Sequence, residues 1–141
     1  TAPEPDYRDD DAAAVAKELM ELGVLVNTGA HGQREGLATH WEMWSFVEGG
    51  MNPMQMLATA TINPARYLGM DADLGSIETG KLADLQVVDG DPLEDVKSTD
   101  RITHVMVNGR LYRANDLGEV VTGSRPAPTL WWHNQPQHQI R

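Results

Sequence analysis

His31 has the most to offer chemically. It closes the run Asn27-Thr28-Gly29-Ala30-His31, directly after the apolar stretch Val24-Leu25-Val26, and Gly32 and Gly36 follow it. An imidazole on a glycine-rich loop can ligate a metal, contact a substrate or tie the loop down, and all three roles are open to His31. Nine residues on, His40-Trp41-Glu42 offers a second imidazole and a carboxylate. Two positions apart on a helix, His40 and Glu42 point in different directions, whereas a helical metal pair needs a spacing of about three or four. Glu42 is expected to favour the helix N-terminus electrostatically, and His40 to contact substrate or support such a contact. His104, His133 and His138 show no ligand spacing. Asp91, Glu94, Asp95 and Asp100, spread around Pro92, lack the spacing of a calcium loop and read as a solvated acidic surface. With no cysteine in the chain, any metal must be held by His, Asp or Glu. No Gly-X-Ser-X-Gly elbow, phosphate loop or dinucleotide fingerprint is present.

The elements that must position these groups can be read from spacing. Asp9, Asp10 and Asp11 precede an alanine-rich stretch in which Val15, Leu19 and Leu22 recur at helical intervals. This predicts a helix capped by Asp11 and ended by Gly23. Val24-Leu25-Val26, too short for a helix and apolar on both faces, predicts a buried parallel strand. Helix, glycine and strand together make half of a β/α repeat, and the His31 loop then lies at the strand's C-terminal end, the edge that carries chemistry in a β/α barrel. A second helix is expected from Thr39 or His40 to Glu48, ended by Gly49-Gly50. Asn52-Pro53 starts a third, with Asn52 as cap and Gln55 placed to close a capping box. The same pattern recurs at Asn63-Pro64, and that short helix ends at Gly69.

From Leu74 onward the period changes to that of β-structure. Ala83, Leu85 and Val87 can share a face, Gly90-Asp91-Pro92 reads as a turn, and Asn108-Gly109 between two apolar runs predicts a two-residue hairpin. Past Glu119 periodicity fades, and Trp131 and Trp132 are expected to pack onto a neighbouring surface.

Composition bounds the function. The 141 residues are 40% hydrophobic and 23% charged, with 13 Gly and 8 Pro, which describes a loop-rich globular chain. A net charge of −10 argues against nucleic acid or anionic membrane as partner, because both select clustered Lys and Arg. No apolar run approaches the roughly 20 residues that span a bilayer.

The phrases Gly75-Ser76-Ile77-Glu78-Thr79-Gly80-Lys81-Leu82-Ala83-Asp84, "ATINPARYLGM" (60–70) and "VMVNGRLY" (105–112) resemble the tail of the metal-dependent amidohydrolases, over about residues 11–119. The resemblance extends to the imidazolonepropionase-like and prolidase-like branches. It implies an α/β chain: the last β/α units of a (β/α)8 TIM-like barrel over 1–73, strands of a small β-sandwich over 74–118, and an extended tail over 119–141. In that family an aspartate often stands where Gly29-Ala30-His31 places a histidine, which implies His31 as a metal ligand. Lys81 and Asp84 then belong to the crossing from barrel to sandwich. The implied activity is hydrolysis of C–N bonds in amides, cyclic amides or dipeptides by water activated on a divalent metal, zinc being expected. Most ligands are expected from sequence outside this chain, which opens on Thr1-Ala2-Pro3 and lacks the family's early motifs. A C-terminal piece, inactive by itself, is therefore expected to associate with the rest of its polypeptide or with another copy. Similar relatives are often exported, so an exported or periplasmic location is expected. The competing expectation is a binding or scaffolding module that keeps the family's tail without its chemistry.

Overall fold

The computed structural model describes residues 9–31 and 34–130. Trp131, Trp132, His133 and His138 therefore lie outside the described residues. Four helices come first, α1 (Asp9–Glu21), α2 (Leu37–Glu48), α3 (Pro53–Thr59) and α4 (Ile62–Tyr67). Three strands follow, β1 (Leu85–Val88), β2 (Ile102–Val107) and β3 (Arg110–Arg113), with a 3-10 turn, Val96–Asp100, between β1 and β2.

α1 starts two residues earlier than its expected cap, so Asp11 lies in the first turn, where a carboxylate still suits the positive end of the helix. Its packed face is also not the expected one. Ala13 is buried, and Ala16 and Met20 pack with it against Phe46 and Met51, whereas Val15, Leu19 and Leu22 are exposed. Small side chains let α1 approach α2 closely. A Cβ on Gly49, just past α2, would come within 2.4 Å of the Ala13 Cβ, so only glycine fits there.

α2 begins at Leu37, with Gly36 at its cap in a left-handed conformation (φ 81°) and no side-chain cap. It ends at Gly49-Gly50 as its sequence predicts. α3 carries the full capping box. Gln55 N donates to Asn52 Oδ1 and Asn52 N to Gln55 Oε1, both at 2.9 Å. α4 departs from the repeated pattern. Thr61, not Asn63, stands at its cap, its hydroxyl donating back to Leu57 O rather than capping α4, and Asn63 is buried within the first turn.

Residues 24–26 are extended but form no strand, since the described residues offer them no parallel neighbour. Val24 and Leu25 are consequently 49% and 40% exposed rather than buried.

The sheet begins at Leu85, and residues 74–84 are turns rather than strand. It is antiparallel throughout, in the order β1-β2-β3, with Leu85 opposite Met106 and Met106 opposite Leu111. The predicted hairpin turn is present, with Asn108 and Gly109 at φ 48° and 76°. The register is regular from Leu85 to Val87 and a bulge follows between Val87 and Val88; Ala83 and Leu85 are half-buried, whereas Val87 is 48% exposed. Beyond β3 the chain turns back. Val120 N donates to Leu111 O, and Tyr112 bridges to Glu119.

Helices and sheet meet at Trp44 of α2. Its indole N–H donates to Thr99 Oγ1 at 2.9 Å, and Lys97, 4.4 Å above the Trp44 ring centroid, pairs with Glu48.

Candidate functional site

His31 lies exposed on the loop that follows the extended segment. Three helices hold residues 26–29 by side chains and carbonyls rather than by a sheet ladder, while Val24 N donates to Leu19 O of α1. Val26 O accepts from Asn63 Nδ2 of α4 at 3.0 Å. Thr28 N donates to Thr59 O at the end of α3, also at 3.0 Å. Gly29 N donates to Glu42 Oε2 of α2 at 2.7 Å.

The last bond corrects the expected role of Glu42. It is the sixth residue of α2, past the first turn, so its carboxylate is spent on the His31 loop and not on the helix end. The bond brings Gly29, two residues before His31, to Glu42, two residues after His40. His40 itself sits in the first turn of α2, 9% exposed, with Nδ1 buried and without a hydrogen-bond partner among the described residues. Asn27 Oδ1 is a second buried atom without a partner, in the same loop. Native interiors satisfy nearly all such atoms, so both mark a region whose polar neighbours are incomplete.

Asn63, Thr59 and Glu42 were not legible as site residues. Each reaches 13 to 37 positions along the chain, and local spacing carries no signal for contacts at that range.

An open groove of about 390 Å³ runs beside the extended segment, lined mainly by apolar groups of Met20, Val24, Leu25, Met54 and Ala58. Its lining includes neither His31 nor His40.

The charged residues of the second half do structural work. Lys81 is nearly buried and donates to Asp71 O and Ser76 Oγ while pairing with Glu78 at 3.2 Å. Asp84 accepts from Asn108 N at 2.6 Å and so fixes the hairpin turn. Lys81 thus ties together residues 71–78 and Asp84 the hairpin, each with its own partners. Asp91 and Asp95, exposed as expected, also accept backbone N–H groups in their turns, from Leu93 and Lys97. Three carboxylates there are held below the ordinary range by hydrogen bonds: Glu78 by Ser76 and then Lys81, Asp116 by Arg113, and Glu119 by Thr122 and Ser124, down to about 2.

The chain belongs to the amidohydrolase family, whose family model matches residues 3–112. Imidazolonepropionase of Symbiobacterium thermophilum is 38% identical over 80 residues, covering 53% of this chain and 19% of that protein. Ochratoxinase of Aspergillus niger is 32% identical over 104 residues, covering 70% and 22%. A solved Xaa-Pro dipeptidase with methionine bound in its active site matches at 35% identity and a TM-score of 0.66, covering 72% and 25%. The chain thus spans about a fifth of the length of these curated relatives and a quarter of the solved dipeptidase. The amidohydrolase neighbours imply a TIM-barrel-type fold, and this chain itself has helices and a small antiparallel sheet among its described residues.

Amidohydrolases generally use divalent metals. Among the described residues no three His, Asp or Glu side chains gather into a site that could hold one. These residues do not by themselves make a metal centre, and no step of a reaction is assigned to them on that basis.

Proposed function

We propose that this chain is the C-terminal part of a metal-dependent amidohydrolase that hydrolyses C–N bonds of amide, cyclic amide or dipeptide substrates. In this reading residues 1–73 belong to the last β/α units of a (β/α)8 barrel, 74–118 to an accessory β-sandwich, and 119–141 to a C-terminal tail. His31 contributes one metal donor, and His40, through its unpartnered imidazole, a contact on the substrate side. When bound, a divalent ion, zinc in this reading and held mainly by residues elsewhere in the polypeptide, supplies Lewis acidity and a water of lowered pKa. This chain's own part is to position His31, and by itself it is inactive. Its partners are the rest of its polypeptide, a small amide or peptide substrate, and a second copy.

One observation carries the reading. Within the 3–112 family match, His31 lies on a loop at the C-terminal end of an extended apolar segment, fastened by three helices. Barrel enzymes place their reacting groups at that end of a strand.

The test is metal analysis and hydrolysis of an Xaa-Pro dipeptide and a cyclic amide by the full-length polypeptide, with His31→Ala alongside. We expect stoichiometric divalent metal, and turnover lower by about 100-fold or more in the variant, since loss of even an outer partner of a ligand costs about 10- to 100-fold. Unchanged metal and turnover would return His31 to a loop-holding role. An intact polypeptide with neither metal nor turnover would favour the binding or scaffolding module.

A further inference from the structure

The three helical grips on residues 26–29 are not equivalent. Asn63 and Thr59 are 5% and 0% exposed, so their bonds to Val26 and Thr28 lie within the packed helices and serve the fold. The Glu42 grip is the one nearest His31, the shortest of the three at 2.7 Å, and the one made by a charged group. It also lies at the surface, where Gly29 is exposed and Glu42 half-buried. A single bond at the surface adds little to global stability, so its larger consequence is geometric. Two residues of chain span at most about 7 Å, and a shift at Gly29 is therefore passed almost undiminished to His31.

Nothing else explains where the Glu42 carboxylate points. It is too far along α2 to serve the free amides of the first turn. Gly29 is not demanded sterically either, because a Cβ there would meet nothing within 4 Å. What the bond does is fix the direction in which the loop leaves the helices.

We propose that Glu42 is a positioning residue for His31, setting the imidazole's place by accepting the Gly29 N–H. The proposal rests on the reading of His31 given above.

The test is a double-mutant cycle in the full-length polypeptide, with Glu42→Ala, Glu42→Gln, His31→Ala and the Glu42→Ala/His31→Ala pair, read by kcat and KM and by amide exchange at Gly29. Glu42→Ala should lower kcat by about 10- to 100-fold with little change in KM, as misplacement of a reacting group by about 1 Å does. Glu42→Gln keeps an acceptor oxygen for Gly29 and should recover most of that loss. Adding Glu42→Ala to His31→Ala should cost nothing further, because Glu42 acts through His31. Gly29 should exchange faster in Glu42→Ala and unchanged in His31→Ala.

Full activity in Glu42→Ala, a loss that multiplies in the pair, or Gly29 exchange that ignores Glu42 would each overturn the proposal. A variant that merely unfolds would speed exchange throughout the chain and give no rescue by glutamine, which again refutes a specific positioning role. If His31→Ala leaves turnover intact, the reading of His31 itself falls. If His31→Ala abolishes turnover and Glu42→Ala does not, only the positioning claim falls.

Discussion

The helical half and the sheet half of this chain solve the same problem, satisfying their backbone and polar groups, in opposite ways. In the sheet half most turns close on side chains of that same half. Asp84 fixes the Asn108-Gly109 turn, Arg113 pairs with Asp116, and Glu119 takes up Thr122 and Ser124. In the helical half, residues 26–29 borrow their bonds from three helices, Val24 and Leu25 face outward, and Asn27 Oδ1 and His40 Nδ1 are buried without partners among the described residues. The difference separates architecture from chemistry. Carboxylates held low, often a mark of a working site, here belong to self-contained turns, while His31 sits in the half whose surroundings are incomplete.

The comparison breaks most visibly if the isolated chain behaves as a finished unit. Val24, Leu25 and Met54 expose apolar surface around the groove beside an extended segment that lacks strand neighbours among the described residues. Exposed edges of that kind template pairing with other chains. Sedimentation of the isolated chain should therefore show self-association, and addition of the remaining polypeptide should replace it with a defined complex. A monodisperse, cooperatively melting monomer would show that the helical half needs no completion.

A second test sharpens the contrast from within. Met56 of α3 is fully buried, and truncation to alanine should cost about 2–5 kcal/mol, the range for emptying a packed core site. Measured by amide exchange, the loss should fall on α2, α3, α4 and the Thr28 amide, which leans on Thr59 in the next turn of α3. The β2–β3 pairing should keep its protection. Equal loosening of both halves would mean that the Trp44–Thr99 contact makes them one cooperative unit.

What could be read from the sequence follows this division. The hairpin at Asn108-Gly109 and the capping box of Asn52 and Gln55 were legible because their signals are local and their partners lie within three residues. The α1 face was misread. Val15, Leu19 and Leu22 look like a core stripe, yet Ala13, Ala16 and Met20 are the residues that allow α2 to come close. A stripe pattern says that a face needs covering and not what covers it. Asn63 misled in the same way, since Asn-Pro reads as a cap, and its amide instead reaches Val26 across 37 positions. Of the candidate site, the sequence singles out only His31 and His40. The grip of Glu42 on Gly29 depends on how α2 is laid against the loop, which no spacing records.

The smallest expected effect lies in the sheet half and tests whether it is closed on itself. Glu119 is 6% exposed and accepts from Thr122 Oγ1 and N and from Ser124 Oγ and N. Those bonds favour the ionised form and hold its pKa at about 2, below the ordinary 4.5. Because the folded value is the lower one, the unfolded chain takes up the proton first as pH falls. The carboxylate's contribution is thus fully present above about pH 4.5 and is lost between there and about 2. Denaturant titrations across that window should show a falling stability whose slope is reduced in Glu119→Gln. The Thr122 and Ser124 amides should lose exchange protection over the same range while the Gly29 amide, held by a different carboxylate in the other half, does not follow their profile. An identical pH slope in Glu119→Gln would show that the turn does not depend on this charge. If Gly29 followed Thr122 and Ser124 step for step, the two halves would respond to acid as one body, and the separation of self-contained turns from an incomplete site would fail.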